Sequence, residues 1–263
     1  MSTDAPAEDY LDLSGSGRVH LFRAGAGEPV LFLHAAGGAG TWPEFHARLA
    51  AGFDVIAPDH PGFGKSDDFP EADDITDLVY HYLDVLDALG LESVHVAGGS
   101  FGGWIAAELA VHSPHRVRSL TLLSAAGLRL PEYPPADLFA TPPEKIPALL
   151  FRNPPPAPSP DAEPDIDAVL AAYRDSTALA RFCWKPFMAN PKLERRLRRI
   201  TAPALVVAPD DDRVIPAQHA KRYAERIPGA RYAEVSDCGH AMYFEKPAEF
   251  ADVVSKFLNE VNR

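Results

Sequence analysis

Cysteine is scarce in this chain of 263 residues, and neither a long apolar run nor an excess of positive charge occurs in it. Cys183 and Cys238 are too few for a disulfide framework, so we expect a reduced, cytoplasmic setting. No apolar run approaches the roughly 20 residues that span a bilayer, which argues against a membrane partner. Lys and Arg total 25 against 37 Asp and Glu, so the net charge of −12 argues against binding to nucleic acid.

Short apolar segments alternate with helical patterns along most of the chain. Residues 75–89 place apolar side chains at three- and four-residue spacing, which predicts an amphipathic helix. Residues 11–13 and 19–22 predict an antiparallel hairpin at the sheet edge. Strands that alternate with helices predict an α/β fold with a mostly parallel, doubly wound sheet. Buried strands are predicted from short apolar runs at residues 30–33, 55–57, 94–97, 120–123 and 204–207.

Proline interrupts this alternation in the second half of the chain. Residues 131–164 hold 12 of the 26 prolines, and proline is excluded from central strands and helix interiors. Helical patterns at residues 143–151 and 165–181 and several large apolar side chains indicate an ordered segment. We therefore predict a helical cap at residues 128–196, inserted into a core formed by residues 1–127 and 197–263.

A glycine-rich pentapeptide, Gly-Gly-Ser-Phe-Gly at residues 98–102, lies between a predicted strand and a predicted helix. Glycines permit the sharp turn that lifts the Ser100 hydroxyl above the sheet at a helix N-terminus. Free N–H groups and the positive end of the helix dipole favour developing negative charge there. The pattern indicates a nucleophilic serine, although the pentapeptide by itself also fits a turn with a capping serine.

A nucleophilic serine needs a base and, usually, a carboxylate that orients the base. His240 lies on a loop that follows the last predicted strand, at residues 232–235, and is the candidate base. Three successive aspartates, Asp210 to Asp212, follow the strand at residues 204–207 and supply candidate carboxylates. The same three residues also fit an acidic, solvated turn.

Residues 34–40 form a loop of small residues after the strand at residues 30–33. Small residues let backbone N–H groups approach a ligand, and the Ala36 and Phe101 N–H groups would form an oxyanion hole. A phosphate cradle is the competing interpretation. It is disfavoured because the loop lacks the Lys-Ser/Thr pair of a Walker loop and the glycine spacing of a dinucleotide-binding loop.

These motifs resemble the α/β-hydrolase superfamily over nearly the whole chain, including its chain order of Ser, Asp and His. Residues 34–36 are similar to the family's His-Gly-x oxyanion motif, with Ala35 in place of the glycine. Residues 59–66 resemble its Asp-x-x-Gly-x-Gly-x-Ser loop, and the pair at residues 239–240 its Gly-His. Residues 212–216 resemble its Asp-x-x-x-Pro, which implies that Asp212 is the acid.

The resemblance implies acyl transfer through an acyl-serine intermediate, with no cofactor and no metal. The leading interpretation is a carboxylic-ester hydrolase that acts on a small-molecule substrate with a small to medium apolar acyl group. The sequence gives no indication of the oligomeric state. The expected pocket residues are His34, Trp104, Phe139, Arg181, Trp184 and Met242.

Other functions stay open for this fold. Carbon–carbon bond hydrolases of the meta-cleavage type use the same three catalytic residues, and Arg181 with Trp184 partly resembles their cap. Those relatives usually place Trp directly after the catalytic His, where this chain has Ala241. Cofactor-free halogenation or perhydrolysis is a further alternative. A non-catalytic ligand-binding protein is the alternative from a different class, because fold does not fix function.

Overall fold

The computed structural model describes residues 5–156, 159, 163 and 165–263. Within that part of the chain eight strands are present: β1 (Ala7–Leu13), β2 (Gly17–Ala24), β3 (Pro29–Leu33), β4 (Asp54–Pro58), β5 (Val94–Gly99), β6 (Val117–Leu123), β7 (Ala204–Pro209) and β8 (Arg231–Val235). They form one sheet in the order β1-β2-β4-β3-β5-β6-β7-β8. The pairs β1–β2 and β2–β4 are antiparallel, and the others are parallel. The predicted α/β class, with a mostly parallel sheet and an edge hairpin, is confirmed.

Helices cover both faces of this sheet. In the described residues they are α1 (Glu44–Leu49), α2 (Ile75–Ala88), α3 (Ser100–His112), α4 (Ile146–Leu150), α5 (Ile166–Cys183), α6 (Leu193–Arg196), α7 (Ala217–Arg226), α8 (Met242–Glu245) and α9 (Pro247–Val261). One face packs against α2, α3 and α7, and the other against α1 and α9. Along β3, Leu31 faces the first apolar cluster and Phe32 the second. Burial on both faces explains why the central strands have continuous apolar sequences.

The segment predicted to be a cap, residues 128–196, lies between β6 and β7 and contains α4, α5 and α6. The helices predicted at residues 143–151 and 165–181 correspond to α4, preceded by one 3-10 turn, and to α5. The Asp165 carboxylate accepts a hydrogen bond from the Ala168 N–H and caps α5. Residues 157, 158, 160–162 and 164 of the predicted cap lie outside the described residues. No described helix has both the length and the apolar character needed to cross a bilayer.

Four loops meet at one edge of the sheet. They follow β3, β5, β7 and β8, which run parallel to one another within the sheet. The carboxyl ends of parallel strands share an edge, and ligands bind in the crevice outside that edge. The predicted nucleophile, base, acid and oxyanion loop are therefore all carried to the same place by the topology.

Candidate active site

Ser100 begins α3 directly after β5, with a backbone φ of +50°. A non-glycine residue rarely adopts positive φ, so the surrounding structure must hold this strained turn. A Cβ on Gly102 would lie 2.1 Å from the Leu33 carbonyl oxygen, and one on Gly98 would lie 2.4 Å from the Gly102 carbonyl oxygen. The glycines two residues before and after Ser100 are thus required by close backbone contacts.

Asp212 and His240 form a buried hydrogen-bonded pair. The two Asp212 carboxylate oxygens lie 3.0 and 2.9 Å from His240 Nδ1, and the carboxylate is 1 % exposed. The Val214 and Ile215 N–H groups donate to Asp212 Oδ1 at 2.9 and 2.8 Å. These two backbone donors fix the carboxylate in the orientation that holds the imidazole. The proton on Nδ1 leaves Nε2 available as a base.

The neighbouring aspartates have other partners. Asp210 is exposed, and it accepts bonds from the Arg152 guanidinium at 3.4 Å and from the Cys238 N–H at 3.3 Å. Asp211 pairs with Arg213, at 2.6 Å from guanidinium nitrogen to carboxylate oxygen. Among the three aspartates, the structure pairs Asp212 alone with His240 within the described residues.

Burial and nearby charge shift the pKa of Asp212 in opposite directions. Burial of the carboxylate favours the neutral acid and would by itself raise its pKa. The nearby His240 and its hydrogen bond, together with the Ile215 N–H, outweigh that effect, so the pKa of Asp212 lies below its usual value. The carboxylate is therefore ionised at neutral pH and can stabilise a protonated His240.

The His34 side chain lies beneath the predicted oxyanion loop, residues 34–40, and helps to hold it in place. Its Nε2 accepts the His60 N–H at 3.0 Å, which places the proton on Nδ1, and Nδ1 donates to the Ala35 carbonyl at 2.6 Å. The His60 ring stacks on it with centroids 3.7 Å apart, and His60 Nε2 lies 2.9 Å from the His34 carbonyl oxygen. Burial lowers the pKa of His34 and keeps it neutral. His34 was predicted to line the pocket, and the structure places it beneath the loop instead.

Asp59 joins the oxyanion loop to the loop after β4. It accepts the Gly40 N–H at 2.6 Å and the Lys65 N–H at 2.9 Å, and its Oδ2 lies 2.8 Å from His20 Nδ1. A Cβ on Gly64 would lie 2.1 Å from that same Oδ2. The Asp and the second glycine of this motif thus hold two loops together beside the site.

The His240 loop is held by the cap segment that crosses it. The Ala241 N–H donates to the Leu150 carbonyl at 2.8 Å, and the Gly239 N–H donates to the Glu245 carboxylate at 2.6 Å. A Cβ on Gly239 would lie 2.7 Å from the Arg152 amide nitrogen. Glycine before His240 is therefore required because the cap backbone lies directly against it.

A cavity of about 480 Å³ opens between the cap and the carboxyl edge of the sheet. Ser100, His240 and Ala36 all line it. The Phe101 side chain is fully buried, and its N–H lies in the first turn of α3, where no intrahelical acceptor exists. The arrangement brings a hydroxyl, an oriented imidazole and free backbone donors to one space. Most of the wall is apolar and includes Leu138, Phe139, Ile146, Leu150, Leu179 and Phe244.

Of the six side chains expected in the pocket, Phe139 lines this cavity and the other five do not. Trp104 is buried against Gly127, and its indole N–H donates to Glu108 at 3.2 Å. Met242 is fully buried in the cluster under α9. Each of these two side chains fills the core because α3 and α8 turn it away from the cavity.

The two expected cap residues also lie outside the cavity wall. Arg181 donates to the Asp68 carboxylate at 2.7 Å and to the Phe69 carbonyl at 3.0 Å, so its guanidinium is held at the interface between α5 and the loop after β4. Trp184 is 64 % exposed, and its ring packs against that of Phe139 with centroids 5.7 Å apart. Arg181 and Trp184 were expected in the pocket because of their residue types. The sequence does not specify how the chain of this segment runs across the site.

Several cavity residues were missed by the sequence analysis. Asp175 on α5 and Tyr243 and Phe244 on α8 all line the wall. Tyr243 is buried, which raises the pKa of its phenol to about 12. The position of Tyr243 and Phe244, directly after the Gly-His pair, was an available signal. Asp175 gave no such signal, because an aspartate on an amphipathic helix normally faces solvent.

Comparison with known proteins shows relatives over the full length of the chain. Residues 30–253 match the model of the alpha/beta hydrolase family. A protein of Azorhizobium caulinodans named as a candidate carbamate hydrolase, RutD, is 35 % identical and covers 98 % of this chain and 97 % of its own. A 2-hydroxy-6-oxo-6-phenylhexa-2,4-dienoate hydrolase of Comamonas testosteroni is 31 % identical, and the match covers 92 % of this chain and 91 % of the relative.

A solved structure shows the same fold. A serine hydrolase involved in carbazole degradation superposes with a TM-score of 0.77 and covers 97 % of this chain and 99 % of its own, at 24 % identity. At that identity the likeness concerns the fold, including the eight-stranded sheet and the helices on both of its faces.

Proposed function

Because this chain belongs to the alpha/beta hydrolase family, we propose that it is a serine hydrolase in which Ser100 is the nucleophile. His240 is the general base, Asp212 orients it, and the Ala36 and Phe101 N–H groups bind the oxyanion. The observation that carries the proposal is the buried Asp212–His240 pair, because His240 lines the same cavity as Ser100. No cofactor or metal enters this mechanism.

The reaction follows from these positions in two acyl-transfer steps. His240 Nε2 takes the Ser100 proton as the hydroxyl oxygen attacks the substrate carbonyl carbon. The oxyanion collapses, the bond to the leaving group breaks, and the leaving group takes the proton from His240. Water then attacks the acyl-serine with His240 again as base, which releases the acid and restores Ser100.

The preferred substrate is a carboxylic ester with a small to medium, mostly apolar acyl group. A cavity of about 480 Å³ with a largely apolar wall fits such a group. A carbamate would use the same steps, and the relative named as a candidate carbamate hydrolase supports that extension. We further propose that residues 128–196 act as a lid over the site. Cytoplasmic location and the lack of a nucleic-acid partner stay predictions, and the oligomeric state stays open.

Rapid mixing with p-nitrophenyl acetate, butyrate and octanoate tests the proposal. We expect a nitrophenol burst equal to the enzyme concentration in the wild type and none with Ser100→Ala. The chain-length preference then measures how much of the cavity the acyl group fills. Ester turnover that is unchanged in Ser100→Ala would exclude Ser100 as the nucleophile.

Carbon–carbon bond hydrolysis is the second candidate, supported by the relative named as a dienoate hydrolase. The same oxyanion donors would serve a ketone carbonyl. Against it, Arg181 is held by Asp68 and Phe69 and is not available at the cavity wall for a substrate carboxylate. Ser100-dependent loss of a vinylogous diketone chromophore, in a protein that hydrolyses no ester, would favour this candidate. Failure with both substrate classes would favour a non-catalytic binding protein.

A further inference from the structure

One carboxylate lies in the mostly apolar wall of the active-site cavity. Asp175 on α5 lines the cavity and is half-buried. Its Oδ1 accepts the Gly64 N–H at 3.0 Å. In the described part of the chain, no Lys or Arg forms an ion pair with it, and Asp175 is the one acidic residue in the wall.

The arginines closest to Asp175 on α5 point elsewhere. Arg174 donates to the Gly64 carbonyl at 2.8 Å and to the Ser66 carbonyl. Arg181, two turns further along the helix, binds Asp68 and the Phe69 carbonyl. Both of these guanidinium groups are therefore bound to the loop after β4, while the Asp175 carboxylate lines the cavity. The cavity wall contains no described Lys or Arg that could neutralise a substrate carboxylate.

The Asp175 carboxylate can accept further hydrogen bonds. An ionised carboxyl group offers about four lone-pair sites, and Gly64 uses one of them. Burial raises the pKa of Asp175, while the Gly64 N–H and the charge of Arg174 oppose that effect. Interactions between charges are stronger beside apolar walls than in open water, because fewer water dipoles screen them.

We propose that Asp175 is a specificity-determining residue of this hydrolase. It favours substrates that present a cation or an N–H or O–H donor beneath α5, and it disfavours substrates that present a carboxylate there. The inference rests on the proposed serine hydrolase function and narrows its substrate class to neutral or cationic compounds. Asp175 touches substrate in this account and takes no part in proton transfer.

The alternative is a structural role, in which Asp175 holds α5 against the loop that contains Gly64. The variant Asp175→Asn separates the two roles, because the amide oxygen can still accept the Gly64 N–H while the charge is removed. If Asp175 serves only to hold α5 against that loop, Asp175→Asn keeps the contact and leaves substrate selection unchanged. Loss of the charge changes selection among substrates of equal length and different charge.

The test uses two matched ester series at about pH 8, where a free carboxyl group is ionised. The first places the charge on the acyl side, with p-nitrophenyl esters of hexanoic acid, 6-aminohexanoic acid and adipic acid. The second places it on the leaving group, with hexanoate esters of phenol, 4-(aminomethyl)phenol and 4-hydroxybenzoate. Asp167→Asn is the matched control, because Asp167 is exposed on the same helix and the same charge is removed.

In at least one series, we expect kcat/KM of the wild type to be about tenfold or more lower for the anionic ester than for the neutral one. Asp175→Asn should bring that ratio to within about threefold, and Asp167→Asn should keep the wild-type ratio. Equal ratios in the wild type and Asp175→Asn in both series would overturn the proposal. So would a wild-type preference for the anionic ester.

Binding to a variant that cannot turn over separates this proposal from the proposed catalysis. Calorimetry with Ser100→Ala should show hexanamide binding about tenfold more tightly than adipamate, and a smaller difference when Asp175→Asn is added. If that difference appears although the wild type hydrolyses no ester, the hydrolase assignment fails and the charge selection stands. If Ser100-dependent hydrolysis occurs, adipamate binds as well as hexanamide and neither ester series discriminates by charge, the charge selection fails alone.

Discussion

The His240 imidazole is held by Asp212 through Nδ1, with both carboxylate oxygens within 3.0 Å of that nitrogen. Asp212 lies on the loop after β7 and His240 on the loop after β8, so the pairing depends on the parallel neighbours in the sheet. Two backbone N–H groups hold the carboxylate itself. An imidazole that is fixed in this way presents Nε2 to the cavity shared with Ser100.

Removal of the Asp212 charge should damage catalysis far more than removal of its neighbours' charges. Asp212→Asn keeps the size of the side chain but can leave the wrong His240 tautomer, and kcat should fall by about a thousandfold or more. Asp211→Asn is the control, because Arg213 is the one described partner of the Asp211 carboxylate, and the variant should change kcat less than about threefold. Steady-state kinetics on p-nitrophenyl butyrate provides the comparison. A larger loss in Asp211→Asn would refute the assignment of the acid.

The turn that carries Ser100 should not tolerate a methyl group at Gly102. The added Cβ would lie 2.1 Å from the Leu33 carbonyl oxygen and 2.4 Å from that of His34, and neither backbone group can move freely. Gly102→Ala should therefore lower the free energy of unfolding by about 3 kcal/mol. Gly52→Ala, where no atom lies within 4 Å of the new Cβ, should stay within about 1 kcal/mol of the wild type. Urea denaturation monitored by fluorescence checks both, and equal values would contradict the close-contact explanation.

Gly239→Ala tests the contact between the cap and the His240 loop. Its Cβ would lie 2.7 Å from the Arg152 amide nitrogen and 2.8 Å from the Leu150 carbonyl oxygen, so the cap segment or His240 must move. A displacement of about 1 Å at the base should lower kcat/KM by about a hundredfold. The free energy of unfolding should fall by about 1–2 kcal/mol. Activity equal to that of Gly52→Ala would show that the contact does not position His240.

Buried neutral histidine should make the protein less stable in acid. In the described structure neither ring nitrogen of His46 has a hydrogen-bond partner, and burial lowers the pKa of its imidazole to about 3. Below the usual histidine pKa of 6.5, the unfolded chain takes up a proton that the folded chain does not, so stability falls as the pH falls from 6.5 towards 3.

His46→Leu removes that proton uptake. The slope of the free energy of unfolding between about pH 4 and pH 6 should decrease by about 1.4 kcal/mol per pH unit. At neutral pH the variant should be as stable as the wild type or slightly more stable, because two unpaired nitrogens are replaced by methyl groups beside Phe32 and Trp42. Urea denaturation across that pH range gives the slope. An unchanged slope would mean that His46 is protonated in the folded protein.

The sheet could be predicted because its central strands are buried on both faces. Residues 30–33 and 204–207 are apolar without interruption, and each falls within an observed strand, β3 and β7. Strand ends were harder to predict. The exposed edge strand β1 starts at Ala7 although its apolar signal covers only residues 11–13, and its first residues are held by pairing with β2 rather than by burial.

The lining of the cavity could not be predicted at the level of single side chains. Which way Trp104 or Arg181 points depends on partners distant in sequence, such as Gly127 for the first and Asp68 for the second. Nothing in the sequence around Asp175 distinguishes it from a solvent-exposed residue of an amphipathic helix. Its position at the cavity depends on the packing of α5 against the loop that contains Gly64. Residues held by local backbone geometry, such as Ser100 between its glycines, could be proposed from spacing alone.

Rapid-quench mass spectrometry tests the central claim most directly. The wild type is mixed with p-nitrophenyl butyrate, quenched during the burst and digested, and the peptide that contains Ser100 is examined. The account predicts one butyryl group on Ser100 in the wild type and none in Ser100→Ala, which should also lose turnover. Full turnover with an unmodified Ser100, or a butyryl group on a different residue that forms at the rate of the burst, would contradict it.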